Sequence, residues 1–205
     1  MDHSDTENLK FEVYQELGEC YTYTGDLEKA FAHFKAAGQL APASERPYVG
    51  MGVAELQKND IDSAKDSFHR AIALNPNSDK AFAGLAMALT GAGNHKEALV
   101  AYQQALDLDP SNKSALLGLI QCAYGLQCYD VAVKYLNKYL DLYPGNVEIL
   151  YCLAGTYYKQ HKMSAALEVL ERIFMFAPDH TEANSLKDMI GRQTSDHQYA
   201  RCENS

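Results

Sequence analysis

Five of the six prolines, Pro42, Pro76, Pro110, Pro144 and Pro178, stand at equal intervals along the chain, thirty-four places apart. Ala30, Ala64, Ala98, Ala132 and Ala166 keep the same spacing, each at a fixed distance ahead of its proline. A third series is large: Phe34, Phe68, Tyr102, Leu136 and Leu170. A fourth is apolar and stands just before each proline: Leu40, Leu74, Leu108, Leu142 and Phe176. A register held through five units without an insertion leaves little freedom of fold. The chain reads as an array of one supersecondary unit, repeated at 11–44, 45–78, 79–112, 113–146 and 147–180.

Each unit has the pattern of two helices. In the third, Phe82, Leu85, Ala86 and Leu89 fall on one helical face, Gly93-Asn94 interrupts, and Ala98, Leu99, Tyr102, Ala105 and Leu106 begin a second stripe. Glycine suits a helix end because it takes positive φ at no steric cost, and Asn94 with Glu97 has the form of a capping box. Gly25-Asp26 and Asn59-Asp60 repeat that punctuation, whereas Gln127 and His161 stand where a glycine or asparagine is expected. For the last two units the second helix is therefore expected to start later, capped by Asp130 and Ser164. Proline ends each second helix. A single pair buries too little to stand alone, so the pairs must stack into a solenoid with one continuous core. The expected domain is one array over 1–190. A capping helix over 181–190 lays Ala183, Leu186 and Ile190 on the exposed end, Gly191 stops it, and 191–205 is expected to be a disordered polar tail.

The repeat resembles the tetratricopeptide repeat (TPR). Numbering each unit from its first residue, the family pattern is large at 4, Leu-like at 7, small at 8, large at 11, Ala at 20, aromatic at 24, small at 27 and Pro at 32. The first unit matches with Tyr14, Leu17, Gly18, Tyr21, Ala30, Phe34, Ala37 and Pro42, and the second with Tyr48, Met51, Gly52, Ala64, Phe68, Ala71 and Pro76, Glu55 being the exception at 11. The resemblance implies an all-α fold, a right-handed superhelical solenoid of antiparallel helix pairs whose first helices line a concave face. It also implies a non-enzymatic protein–protein interaction module, a scaffold or adaptor. A chaperone-like escort of an aggregation-prone client and a self-assembling structural protein are the alternatives.

Composition excludes several other functions. Eighteen Lys and Arg against 27 Asp and Glu, a net charge of −9, do not make a phosphate-neutralising surface, so nucleic acid is not an expected partner. No apolar run is long enough for membrane insertion. Five cysteines without a C-x-x-C pair read as reduced thiols of a cytoplasmic protein, with Cys20 and Cys122 as small core fillers at position 10. Phosphate-loop, dinucleotide, nucleophile-elbow and metalloprotease motifs are all missing. The seven histidines lack metal-ligand spacing. We therefore expect no catalytic residues, no metal and no cofactor.

Function must then reside on a surface, and the partner is expected to be an apolar or amphipathic protein segment held in the concave groove, with self-association as a further possibility. Helical spacing puts positions 2, 5, 6, 9, 12 and 13 of each first helix off the core stripe, and the family resemblance places them on the concave face. The expected groove comprises Val49, Gly50, Val53, Leu56, Ala83, Met87, Leu117, Gln121, Tyr124, Tyr151 and Tyr158, with an acidic lip of Glu12, Glu16 and Glu19. Apolar and tyrosine side chains on a helix face that should be polar suit a binding surface. Position 6 is glycine three times running, at Gly50, Gly84 and Gly118. Mid-helix glycine costs roughly 1 kcal/mol against alanine, so the series needs a cause. Either a partner approaches the bare backbone, or packing there leaves no room for a side chain. Family members that grip a peptide carboxylate do so with Lys, Arg and Asn at positions 2, 5, 6 and 9; this chain has Arg46 and Lys80 at position 2 but no Lys, Arg or Asn at 5, 6 or 9, so the clamp is absent.

Overall fold

The turn inside each repeat is built the same way in all five units. Gly25, Asn59, Gly93, Gln127 and His161 have left-handed backbone, with φ of 83°, 60°, 79°, 57° and 57°. In the last four turns the following N–H returns to a carbonyl in the last turn of the first helix. Asp60 donates to Glu55 at 2.9 Å, Asn94 to Leu89 at 2.9 Å, Cys128 to Ala123 at 2.8 Å and Lys162 to Tyr157 at 2.9 Å. This bond satisfies a helix-end carbonyl that would otherwise lack a partner. Gln127 and His161 thus hold the conformation that glycine holds elsewhere, although left-handed backbone costs an ordinary residue roughly 1–2 kcal/mol. Helix packing on both sides sets the turn and overrides side-chain preference.

The computed structural model describes residues 3–202, with side chains over 5–193. Its eleven helices are α1 (His3–Thr24), α2 (Leu27–Leu40), α3 (Arg46–Gln57), α4 (Ile61–Leu74), α5 (Asp79–Gly91), α6 (His95–Leu108), α7 (Lys113–Gly125), α8 (Tyr129–Leu142), α9 (Val147–Lys159), α10 (Met163–Phe176) and α11 (Thr181–Cys202). No strand occurs among the described residues. The expected late caps at Asp130 and Ser164 are corrected. α8 and α10 begin at Tyr129 and Met163, in register with the other second helices, and their N-cap residues Cys128 and Lys162 make no side-chain cap. Asn94 also stands at an N-cap without capping. Asp26 and Asp60 do cap, accepting from the N–H of Lys29 and Ser63.

The first helices have their own capping series, at the last position of the preceding unit. Ser78 accepts from Ala81 N–H at 3.3 Å, Asn112 from Ala115 at 3.0 Å, Asn146 from Ile149 at 3.1 Å and His180, through Nδ1, from Ala183 at 3.2 Å. Each satisfies one of the N–H groups a helix start leaves unpaired. An acceptor role for His180 Nδ1 requires that nitrogen to be unprotonated.

The chain divides into two compact units, Met1–Cys122 and Ala123–Ser205, and the boundary falls within α7. In the first unit α1 packs on α2, α3 on α4 and α5 on α6, while α2 meets α3 and α4 meets α5. α1 also touches α3, and α3 touches α5, so these three first helices share one side. The core beneath them is built on rings. Phe34 and Phe68 are fully buried and Tyr102 nearly so. In the second unit α9 packs against α8 and α10, and α11 packs on both α9 and α10. There the ring positions are taken by Leu136 and Leu170, both fully buried.

α11 buries Ala183, Leu186 and Ile190 as expected. It does not stop at Gly191: the helix continues to Cys202, which corrects the expected disordered tail over that stretch. Glycine inside a helix costs about 1 kcal/mol but becomes a stop only when the backbone turns left-handed there, and no proline follows to enforce an end. Residues 203–205 of the expected tail lie outside the described residues.

Candidate functional site

On the side shared by α1, α3 and α5 the first unit has a cavity of about 410 Å³. Helical periodicity explains which side chains reach it. α1 contributes Gln15, Glu19, Thr22 and Tyr23, at positions 5, 9, 12 and 13, and α3 contributes Arg46, Val49, Gly50, Val53 and Gln57, at positions 2, 5, 6, 9 and 13. Glu45 and Ser78 precede α3 and α5, Lys80 comes from the first turn of α5, and the edge of Phe34 closes the floor. Val49 is half-buried, Val53 is 39% exposed and Tyr23 is 91% exposed. The result is an apolar floor with polar walls.

Charge is concentrated on the α1–α3 side. The Arg46 guanidinium donates to Glu12 Oε1 at 2.7 Å and lies 5.2 Å from the centre of the Phe11 ring. That hydrogen bond holds the Glu12 carboxyl below its usual range and, with Glu12, Glu19 and Glu45 adding to the field, pushes Arg46 up. Gln15 Nε2 donates to Glu19 Oε1 at 2.8 Å. The Gln15 side chain is 2% exposed, and its Oε1 has no partner among the described residues. Thr22 donates its hydroxyl to the Gly18 carbonyl at 2.8 Å, and Glu45 accepts from Asn75 Nδ2 at 2.9 Å.

Of the residues expected in the groove, Val49, Gly50 and Val53 line this cavity together with Glu19 of the acidic lip. Glu12 is tied to Arg46, and Glu16 is exposed outside the cavity. Leu56 is half-buried and Met87, Leu117 and Gln121 are exposed, all outside the cavity walls. Ala83 is a correction: it is buried, at 8% exposure, and offers almost no surface. In the second unit Tyr124, Tyr151 and Tyr158 are half-buried and engaged. Tyr124 bonds Thr156 Oγ1 at 3.0 Å, Tyr151 lies 5.5 Å from the His180 ring, and Tyr158 accepts from Gln193 at 2.9 Å. Gln15, Arg46 and Lys80 were absent from the expected groove, although the face positions 5 and 2 pointed to them.

The glycine series has a packing cause. A Cβ on Gly50 would lie 2.3 Å from the Phe34 ring, one on Gly84 2.1 Å from the Phe68 ring and one on Gly118 2.2 Å from the Tyr102 ring. Position 6 of the second, third and fourth units is the seat for the aromatic ring of the unit before it. Gly18 and Gly52 crowd the same Phe34 and Phe68 ring edges, where a Cβ would lie 2.5 and 2.7 Å away.

Among the described residues no group of three or more His, Cys, Asp or Glu is placed to hold a metal ion, and no helix is long and apolar enough to cross a membrane. Cys122 is buried with Sγ 3.6 Å from Thr90 Oγ1, as a core filler should be; Cys20, expected to be its equivalent, is exposed.

Three family models described as tetratricopeptide repeat match the chain: one over residues 11–44, one over 49–112 and again over 84–147, and one over 125–190. No curated protein matches the sequence. Solved structures do match in fold. YrrB, described as a TPR protein with an unusual peptide-binding site, is 24% identical, with 85% of this chain and 90% of that one covered and a TM-score of 0.64. MamA is 17% identical, over 84% and 94%, at a TM-score of 0.66. PilF of Pseudomonas aeruginosa is 16% identical, over 96% and 90%, at 0.72. Likeness at these identities is one of fold.

Proposed function

The chain belongs to the tetratricopeptide-repeat family, an all-helical fold typical of protein-interaction scaffolds, and we propose that it is a non-enzymatic adaptor binding a segment of a partner protein on the α1–α3–α5 face. The observation that carries this reading is the cavity itself. Its volume of about 410 Å³ falls within the range of about 300–1,000 Å³ usual for ligand sites, and its apolar floor of Phe34, Val49 and Val53 is ringed by polar and charged side chains that can orient a ligand. YrrB, with its unusual peptide-binding site, is a precedent for peptide binding within this fold. Cys20, Cys122 and Cys128 form no disulfide, which suits a protein working in the reducing cytoplasm.

A segment that covers about 400 Å² of apolar surface gains about 10 kcal/mol gross. Ordering it and losing free motion remove several kcal/mol, so affinity in the micromolar range is expected. The test is Val53→Lys, which puts a charge on the exposed floor and leaves the core alone. Proteins captured by wild type and variant are compared, and those lost with the variant are re-measured as purified segments by calorimetry. Segments that bind wild type and not the variant support the reading. Identical binding by both overturns it.

A further inference from the structure

We infer that the anchor of the bound segment is a basic side chain, lysine or arginine, whose aliphatic stem lies on Val49 and Val53 and whose head meets Gln15 and Glu19. This rests on the reading that the α1–α3–α5 face binds a protein segment, and it names what that segment must present.

The donor and acceptor inventory of the α1 wall leads there. Glu19 is a carboxylate and accepts only. Because it takes Gln15 Nε2 at 2.8 Å, the Gln15 amide is held with its oxygen as the spare end. That oxygen has no partner, on a side chain only 2% exposed. Thr22 spends its hydroxyl hydrogen on the Gly18 carbonyl, which leaves lone pairs. The three groups together offer acceptors well in excess of donors, the second Gln15 amide hydrogen being the only donor left among them.

Charge agrees with this inventory. One guanidinium, Arg46, sits in the field of three carboxylates, Glu12, Glu19 and Glu45, and only Glu12 is in direct contact with it. Lys80, the other cation of the cavity wall, is exposed on a flexible stem from α5, whereas Gln15 and Glu19 are locked to each other. A carboxylate or phosphate anchor would meet lone pairs and negative charge on this wall. A purely apolar anchor would leave the Gln15 oxygen buried and unpaired. A guanidinium carries five donors and an ammonium three, and bonds from either to a carboxylate are charge-assisted. Long basic side chains also cover apolar surface with their stems, which Val49 and Val53 provide one turn apart on α3.

The experiment is selection of a randomised dodecapeptide display library on the full chain, on Val53→Lys and on Glu19→Lys, with helicity of each variant checked by circular dichroism. On the wild type the recovered peptides should carry Lys or Arg beside apolar residues. A synthetic peptide from that set should bind about tenfold more weakly once its basic residue is changed to norleucine, the loss of one charge-assisted bond. Selection on Glu19→Lys should turn the preference to Asp or Glu, a gain that a misfolded variant cannot give. Peptides that lose binding to Val53→Lys yet have no basic anchor, or keep one preference on both wild type and Glu19→Lys, overturn this inference and leave the binding face standing. A library yielding no peptide that distinguishes Val53→Lys from wild type overturns both.

Discussion

Gly84→Ala should destabilise the first unit, against the usual sign of the substitution. In an ordinary helix interior, replacing glycine by alanine stabilises by roughly 1 kcal/mol. Here the new methyl would lie 2.1 Å from Phe68 Cε1, and ordinary carbon contact needs about 3.5 Å or more. The ring must therefore move by about 1 Å or more to restore that contact, and it has nowhere to go. Phe68 is fully buried, and the same ring edge is also crowded by Gly52, where a Cβ would lie 2.7 Å away. Overpacking of this kind costs about 1–3 kcal/mol, and the lack of an exit puts this site at the upper end. After the helix-propensity gain, a net loss of about 2 kcal/mol remains, equivalent to a fall in Tm of about 5 °C in a chain of this size. Urea denaturation followed by circular dichroism measures it. Hydrogen exchange of α3 to α5 should accompany it, because repeat arrays need not unfold in one step. The decisive comparison is a double-mutant cycle with Phe68→Leu, which copies the Leu136–Cys152 pairing of the second unit. The double variant should be more stable than the sum of the two single losses by about 1 kcal/mol or more. An increase in Tm for Gly84→Ala with Phe68 in place would refute the packing account.

Gln127→Gly and His161→Gly should each stabilise the second unit by up to about 1 kcal/mol, read as a higher denaturation midpoint, since both residues occupy left-handed backbone; an unchanged or lower midpoint would count against strain there. Glu55 stands where the repeat calls for a large core residue, and burial, with Asp60 and Asp66 nearby, pushes its carboxyl above the usual range despite a Ser67 hydrogen bond. A raised carboxyl pKa means that the folded state disfavours the charge, so the penalty is present at neutral pH, lifts as pH falls through the folded value, and is gone below the ordinary value. Glu55→Gln should therefore stabilise the chain at pH 7, and its advantage over wild type should shrink on acidification toward pH 4; a pH-independent difference in midpoint would refute this. Ala98 is fully buried, and Ala98→Leu should cost about 1–3 kcal/mol by thermal melting; a neutral effect would show slack packing between α5 and α6.

Most of the fold was legible because a solenoid writes its geometry into its period. The position of Pro, Ala and the ring in each unit gave helix pairs whose observed bounds recur with the same period as the prolines. Two features were not legible, and both concern backbone that side chains do not dictate. Gln127 and His161 have no intrinsic preference for positive φ; they adopt it because the helices on either side require the same turn as in the earlier units. Gly191 is a plausible stop by composition, yet a glycine ends a helix only if the following chain has a reason to turn.

The site was legible in direction more than in membership. Helix-face positions put Val49, Val53 and Glu19 on the cavity, since periodicity fixes which way a side chain leaves its helix. What lies opposite is set by a neighbouring element, which is why Ala83 is covered and Tyr124, Tyr151 and Tyr158 are engaged although they share those positions. The glycine series shows how such a neighbour can still leave a trace. Phe34 and Gly50, Phe68 and Gly84, and Tyr102 and Gly118 stand at one constant separation, and at that same separation Leu136 is followed by Cys152 and Leu170 by Leu186. Wherever the first residue is aromatic the second is glycine, and wherever it is leucine the second has a side chain. A glycine stripe serving a partner would have no reason to follow the ring of the preceding repeat. The pairing therefore assigns the stripe to packing, and leaves the candidate cavity to the side chains around it.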